Sequence, residues 1–132
     1  MYPWPLVRLD TAAGAAGRVT GVRLTPVAPS PDLPVLVVDR VTLPRAGAAA
    51  WIERMHREYR PGAEARGFTF AGVRQTRADR ARAVDVVVEW RLPDVRAFWR
   101  ARAGGHDPAT VAWWAATDAL ALARSRSVMG HA

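Results

Sequence analysis

The sequence predicts an α+β fold, an antiparallel sheet with helices on one face, built in the order strand, helix, strand, strand, broken helix, strand. Three observations carry this expectation. In AVDVVVEWRL, Ala83 to Leu92, the even positions Val84, Val86, Val88, Trp90 and Leu92 are apolar, while Asp85, Glu89 and Arg91 fall on odd ones. That is the period-2 alternation of a strand with one buried face. Segments of three- and four-residue periodicity flank it on both sides, and two aspartates, Asp94 and Asp107, stand where helix N-caps belong.

Residues 1–34 read as an N-terminal arm, punctuated by Pro3, Pro5, Gly14, Gly17, Gly21, Pro26, Pro29, Pro31 and Pro34. Short alternating patches at Pro5 to Leu9 and Val19 to Val27 suit an extra hairpin around the TAAGAAG turn. Trp4 is expected to act as an apolar plug that holds the arm to the body or to a partner subunit. From Val35, the remaining residues 35–132 form one domain, long enough for a single core.

Val35 to Leu43, VLVVDRVTL, is β-branched, continuous and bounded by Pro34 and Pro44, which predicts a buried first strand. From Ala46 to about Arg60 the apolar Ala48, Trp51, Ile52, Met55 and Tyr59 recur at helical spacing, with Glu53, Arg54, Arg57 and Glu58 opposite them. Pro61 and Gly62 are expected to end or kink this helix, with an irregular or helical connection to Gly67. Phe68 to Arg77 reads as a second strand, joined by ADRAR to Ala83 to Leu92 as a hairpin. Asp94 then opens a helix through Val95, Phe98 and Trp99 to Arg102, broken at Gly104 and Gly105. Asp107 with Pro108 restarts it through Val111, Trp113, Trp114 and Leu120. Leu122 to Met129 is the last strand, with Ala123, Ser125 and Ser127 alternating against Leu122, Arg124, Arg126 and Val128. This order is that of a ferredoxin-like βαββαβ unit. The helix-free face of such a sheet needs cover, and a second subunit would provide it, giving a homodimeric α/β barrel.

Composition excludes several function classes. The chain has 132 residues, 50% of them hydrophobic, and no cysteine. Disulfides, thiolate catalysis and cysteine-ligated metals are therefore out. No run approaches the roughly 18–20 apolar residues of a membrane helix. The N-terminus lacks the basic-then-apolar layout of a secretory signal, so a cytoplasmic protein is expected. A net charge of +7 and a pI near 11.4 invite a nucleic-acid reading. All 19 basic residues are arginine, and there is no lysine or asparagine, as a GC-rich coding bias would produce. The arginines are also spread along the chain without a dense cluster, which speaks against phosphate binding. GAAGRVTG lacks the lysine of a phosphate loop, and no nucleophile-elbow motif is present.

DRVTLPRAG, Asp39 to Gly47, and LPDVRAFWRARAGGHDPATVAWWAATDALALARSRSVM, Leu92 to Met129, carry a resemblance to the NIPSNAP-like branch of the dimeric α/β-barrel superfamily. Arg40, Arg45 and Gly47 match its step from first strand into helix. Asp107, Pro108 and Trp113 or Trp114 match its later helix, and the likeness spans roughly residues 35–130. The resemblance implies a pocket between sheet and helices in each subunit. Relatives include cofactor-free monooxygenases of aromatic polyketides, polyketide cyclases, lactone isomerases and haem-dependent enzymes, so the fold leaves the chemistry open.

Within such a site the candidate catalytic residues are His56, Tyr59 and Arg40. His56 lies at the margin of the first helix's apolar face, where an imidazole can move a proton near neutral pH. Its alternative is a boundary histidine. Arg40 shares the even positions of its strand with Leu36 and Val38, and an arginine in an apolar layer requires an anion, from a protein carboxylate or a substrate enolate. Six tryptophans are many for this length. Core packing explains most of them; a subset of Trp51, Trp90, Trp99 and Trp113, with Met55, would instead orient a flat aromatic substrate. Asp85 and Glu89 are expected on the opposite face, in ion pairs with arginines of a second subunit rather than as general bases.

Three histidines without ligand-like spacing predict no metal site, and no cofactor is expected; the alternative that the superfamily resemblance implies is a haem ligand from His106. The expected function is a cofactor-independent enzyme of natural-product tailoring, cyclising or oxygenating a bulky aromatic or polyketide-like intermediate. The alternative is a non-catalytic ligand-binding or enzyme-assembly module of the same fold.

Overall fold

The computed structural model describes residues 6–11, 19–25, 33–76 and 82–130. Trp4, residues 12–18 and 26–32 of the arm, residues 77–81 of the hairpin connection and His131 lie outside the described residues. The strands are β1 (Leu6–Thr11), β2 (Val19–Thr25), β3 (Val35–Pro44), β4 (Thr69–Gln75), β5 (Ala83–Leu92) and β6 (Ala123–Gly130). They form one sheet in the order β2-β1-β6-β3-β5-β4, every neighbouring pair antiparallel. Strands β6-β3-β5-β4 are the ferredoxin-like core, with β3 and β5 central, and the β1–β2 hairpin continues the sheet past β6.

The parity of β5 is as its pattern predicts: Val84, Val86, Val88, Trp90 and Leu92 are all buried. In β3 the register decides. Val35 pairs with Leu92 and Val41 with Val86, so the odd residues of β3 lie beside the even residues of β5. Val35, Val37, Asp39, Val41 and Leu43 therefore face the helices. Arg40, paired with Val87 and Ser125, faces away. This corrects the expectation that Arg40 points into the apolar layer. The run VLVVDRVTL is apolar at both parities, so its own sequence cannot say which face is inside, and the partner strand does.

One continuous helical run follows β3. A 3-10 turn (Arg45–Gly47) leads into α1 (Ala48–Arg54), a π-turn (Met55–Tyr59) and α2 (Arg60–Ala65). Pro61 does not end the helix. Its ring and missing N–H would disrupt a regular α-helical turn, and the chain widens just before it, with the Arg60 N–H reaching back to the Met55 carbonyl. The wide turn also sets which residues are inside. Trp51, Met55, Tyr59 and Ala63 recur every fourth position and are all buried. A regular α-helix would carry such a series progressively round its surface, and a π-turn carries it back. Gly67, at φ 107°, then turns the chain out of α2, and the Phe68 N–H closes the helix end on the Ala63 carbonyl.

Both predicted caps are present. Asp94 Oδ1 accepts from the Ala97 N–H (2.7 Å) at the start of α3 (Val95–Ala103). Asp107 opens α4 (Pro108–Leu120), its Oδ2 accepting from the Thr110 N–H (3.1 Å) and its Oδ1 from the Thr110 hydroxyl (2.6 Å). Chiefly through that hydroxyl, then the N–H, with Arg66 adding a smaller pull, the Asp107 pKa lies below its ordinary value although burial opposes the shift. A carboxylate depressed in the folded state adds stability above its unfolded pKa, about 3.9, and that stability is lost as pH falls through the folded value. In Asp107→Asn, which still caps but does not titrate, the unfolding midpoint should fall less steeply with acid below about pH 4 than in the parent chain. Identical slopes would refute this role.

Candidate functional site

Among the helix-facing residues of β3, Asp39 is the one that carries charge, and it is only 3% exposed. A carboxylate in that position must be compensated. Its register partner on β6 is Arg126, whose Nε donates to Oδ1 (2.6 Å) and Nη2 to Oδ2 (2.8 Å), a two-pronged fork. Trp90 Nε1, from β5, donates to the same Oδ2 (3.2 Å). Burial works against the charge on Arg126, but the Asp39 carboxylate and the Tyr59 oxygen outweigh it, so the guanidinium is held above its ordinary pKa.

The cluster continues into the helices through Tyr59. Its phenol oxygen accepts from Arg126 Nη2 (3.3 Å) and from Arg66 Nη2 (3.4 Å). Two guanidinium groups thus meet at one buried oxygen. Rings surround it: Trp113 stacks on Tyr59 with centroids 5.7 Å apart, and Trp90 and Trp114 meet it edge-on at 5.7 and 5.1 Å. Arg66, just past α2, also donates from Nη1 to Thr110 Oγ1 (2.9 Å), and that nitrogen lies 3.7 Å from Asp107 Oδ1. Trp51 Nε1 donates to Thr117 Oγ1 (3.1 Å), tying α1 to α4.

Of the residues singled out in the sequence, Tyr59, Met55, Trp51, Trp90 and Trp113 stand together in the layer between sheet and helices, all buried. Trp99 does not join them. It is 38% exposed, because α3 buries Ala97, Phe98 and Ala101, which turns the next residue after Phe98 outward beneath the Arg102 guanidinium. Arg40 has a 59% exposed side chain and faces Asp85 at 3.6 Å across the helix-free side of the sheet. It is not placed to stabilise an anion in the layer. Arg40→Ala should cost at most about 1 kcal/mol in chemical denaturation; a larger loss would mean that the helix-free face is covered. Asp85 and Glu89 find partners within the chain, Asp85 with Thr42 and Arg40, Glu89 with Arg74.

His56 is half-buried on the π-turn. Its ring meets Phe70 edge-on at 5.1 Å, and Nδ1 lies 3.3 Å from Arg60 Nη1, so the fold places it beside those groups rather than at the Tyr59 oxygen. His106 is exposed on the 3-10 turn between α3 and α4. Among the described residues no group of three His, Cys, Asp or Glu side chains is arranged to hold a metal ion.

Asp39, Arg126, Arg66 and Thr110 were not foreseen. The available signal was in β6, where Arg126 shares the parity of the apolar Val128, and in β3, where an aspartate interrupts an apolar run. A buried aspartate calls for an arginine, but only strand pairing says which.

No protein-family model and no curated protein sequence matches the chain. Solved structures do. A NIPSNAP-family protein of unknown function from Agrobacterium tumefaciens superposes with TM-score 0.61 at 13% identity, covering 76% of this chain and 90% of that one. An uncharacterized NIPSNAP-like domain protein from Burkholderia xenovorans gives 0.60 at 16%, covering 74% and 84%. A candidate antibiotic biosynthesis monooxygenase from Nitrosomonas europaea gives 0.57 at 12%, covering 76% and 91%. At these identities the likeness is one of fold, the same fold to which the sequence resemblance points.

Proposed function

We propose that the chain is a cofactor-independent enzyme that acts on a bulky aromatic or polyketide-like ketone, with Tyr59 as the group that exchanges a proton with the substrate oxygen. The observation that carries this reading is the meeting of the Arg126 and Arg66 guanidiniums at the Tyr59 oxygen, inside a layer of aromatic rings. With its oxygen accepting both N–H groups, the phenol directs its own O–H at a ligand. Two positive charges behind it favour the state in which that ligand oxygen turns anionic, the enolate or phenolate. Trp90, Trp113 and Trp114 supply flat apolar surface for the rings and exclude water. The acidic Cα–H of the ketone, lost to water or a buffer base, leaves the enolate, whose oxygen faces the Tyr59 O–H; that enolate has two fates, since its carbon attacks a carbonyl and closes a ring, or it reacts with dioxygen. The fold it shares with a candidate antibiotic biosynthesis monooxygenase supports the second.

Anthrone tests the proposal, since anthrone plus dioxygen gives anthraquinone plus water with atoms in balance. Quinone formation above the buffer rate, followed by absorbance, is expected; no acceleration with anthrone or with hydroxylated anthrones would refute it. In the same reading a second copy covers the helix-free face, where Met129 is exposed, and light scattering should return twice the chain mass.

A second reading is favoured by the close packing of Trp51, Met55, Trp90 and Trp113, which are all buried and fill much of the layer themselves. The chain would then be a non-catalytic ligand-binding or enzyme-assembly module. It predicts no turnover of anthrone and, as an assembly module whose own rings fill the layer, no binding of polycyclic aromatics there. Among the described residues no helix is long and apolar enough to cross a membrane.

A further inference from the structure

Among the described residues three arginines reach the sheet–helix layer with side chains mostly covered: Arg66 at 13% exposed, Arg124 at 15% and Arg126 at 22%. Two of them are matched. Arg126 forks onto Asp39, and Arg124 forks onto Asp118 at 2.6 and 3.0 Å. Arg66 is different. Its nearest carboxylate oxygen, on Asp107, is 3.7 Å away and already accepts from the Thr110 hydroxyl. Its Nη groups donate to the neutral oxygens of Thr110 and Tyr59, and its Nε is buried with no acceptor.

A second donor is in the same condition. Trp113 is 5% exposed, its Nε1 is buried without an acceptor, and its ring stacks on the Tyr59 whose oxygen Arg66 reaches. Trp51 and Trp90, the neighbouring buried indoles, both have acceptors, Thr117 and Asp39. Leaving a buried N–H unpaired is costly, more so for a charged one. One chemistry answers all three facts: an anion that accepts hydrogen bonds, on a body that packs against rings.

We propose that Arg66 and Trp113 form the recognition site for the carboxylate of an aromatic acid, with Arg66 supplying the charge and Trp113 Nε1 a second donor. This rests on the reading above, and deepens it by naming the ligand class: an aromatic substrate that carries a carboxylate is held in preference to a neutral ring system such as anthrone. Gly104 belongs to the arrangement, because a Cβ there would stand 3.2 Å from Arg66 Cδ and crowd the stem that positions the guanidinium.

The test uses naphthoate and its neutral counterpart naphthylmethanol, titrated into the full chain by calorimetry and by an NMR spectrum of the indole N–H groups. Naphthoate is expected to bind about tenfold or more tightly than the alcohol, and the Trp113 indole proton, assigned by its loss in Trp113→Phe, should move downfield as the site fills. Arg66→Gln should abolish the preference for the acid, Arg66→Lys should retain part of it, and the exposed Arg57→Gln should change nothing. Equal affinity for acid and alcohol, or an unmoved Trp113 resonance at saturation, would overturn the proposal, and both are read on the parent chain whatever the variants do to folding. Anthrone turnover by a protein indifferent to naphthoate would overturn this inference and leave the enzyme reading intact. Naphthoate binding with no turnover would support it while removing the enzyme reading.

Discussion

Asp39→Ala is expected to destabilise the folded chain by about 3–5 kcal/mol, read as a lower urea midpoint with an unchanged slope. The size follows from what remains. Arg126 would keep its charge in the layer, its Nε and Nη2 left without the oxygens they reach at 2.6 and 2.8 Å, and Trp90 Nε1 would lose its acceptor as well. Asp39→Asn should recover only part of the loss, because an amide accepts a hydrogen bond without balancing the charge. The double variant Asp39→Leu/Arg126→Met removes both ions and should be markedly more stable than Asp39→Ala. If Asp39→Ala unfolds within about 1 kcal/mol of the parent, the pair is solvated and the site is not the closed cluster described above.

Tyr59→Phe carries the largest expected effect on activity, a fall of about 10²- to 10⁴-fold in anthrone turnover. The ring keeps its contacts with Trp90, Trp113 and Trp114, so packing is preserved and only the oxygen is lost. Its two long bonds to Arg126 and Arg66 imply a stability cost of about 1–2 kcal/mol, too little to empty the folded state of an ordinary domain. His56→Ala separates the two proton-transfer candidates. The fold seats His56 against Phe70 and Arg60, so its loss should change the rate no more than a few-fold. A Tyr59→Phe enzyme at full rate would remove Tyr59 from the chemistry, and a dead His56→Ala would return the role to the imidazole.

The element order was legible in the sequence because local chemistry carries it. Asp94 and Asp107 cap the helices they were expected to cap, and β5 buries the even positions that its alternation marks. Tyr59, Met55, Trp51, Trp90 and Trp113 could be placed in one layer, since each lies on the apolar side of a strongly patterned element. Trp99 was expected in the same layer and lies outside it, because on a short helix rich in alanine and arginine the apolar stripe is narrow and adjacent aromatic residues compete for it. Phe98 holds the inner position. Pro61 and Gly62 were expected to end or kink the helix, and the π-turn before Pro61 is the irregularity that lets the helix run on.

What the sequence by itself determined is therefore the α+β order, the caps and the inner face of β5, all consequences of periodicity and hydrogen bonding within a few residues. Which face of β3 is inside was decided only by tertiary structure, and with it the site. Arg40 and Asp39 are adjacent, and a one-residue change of parity exchanges them. The partner that makes Asp39 the buried one, Arg126, is 87 residues away, in a strand whose own alternation is weak. Arg66 likewise lies in a connection without periodicity, and its meeting with Tyr59 and Thr110 depends on how α2 ends and where α4 crosses it. Side-chain charge is written in the sequence, but the burial that gives it chemical force is set by pairing between distant segments.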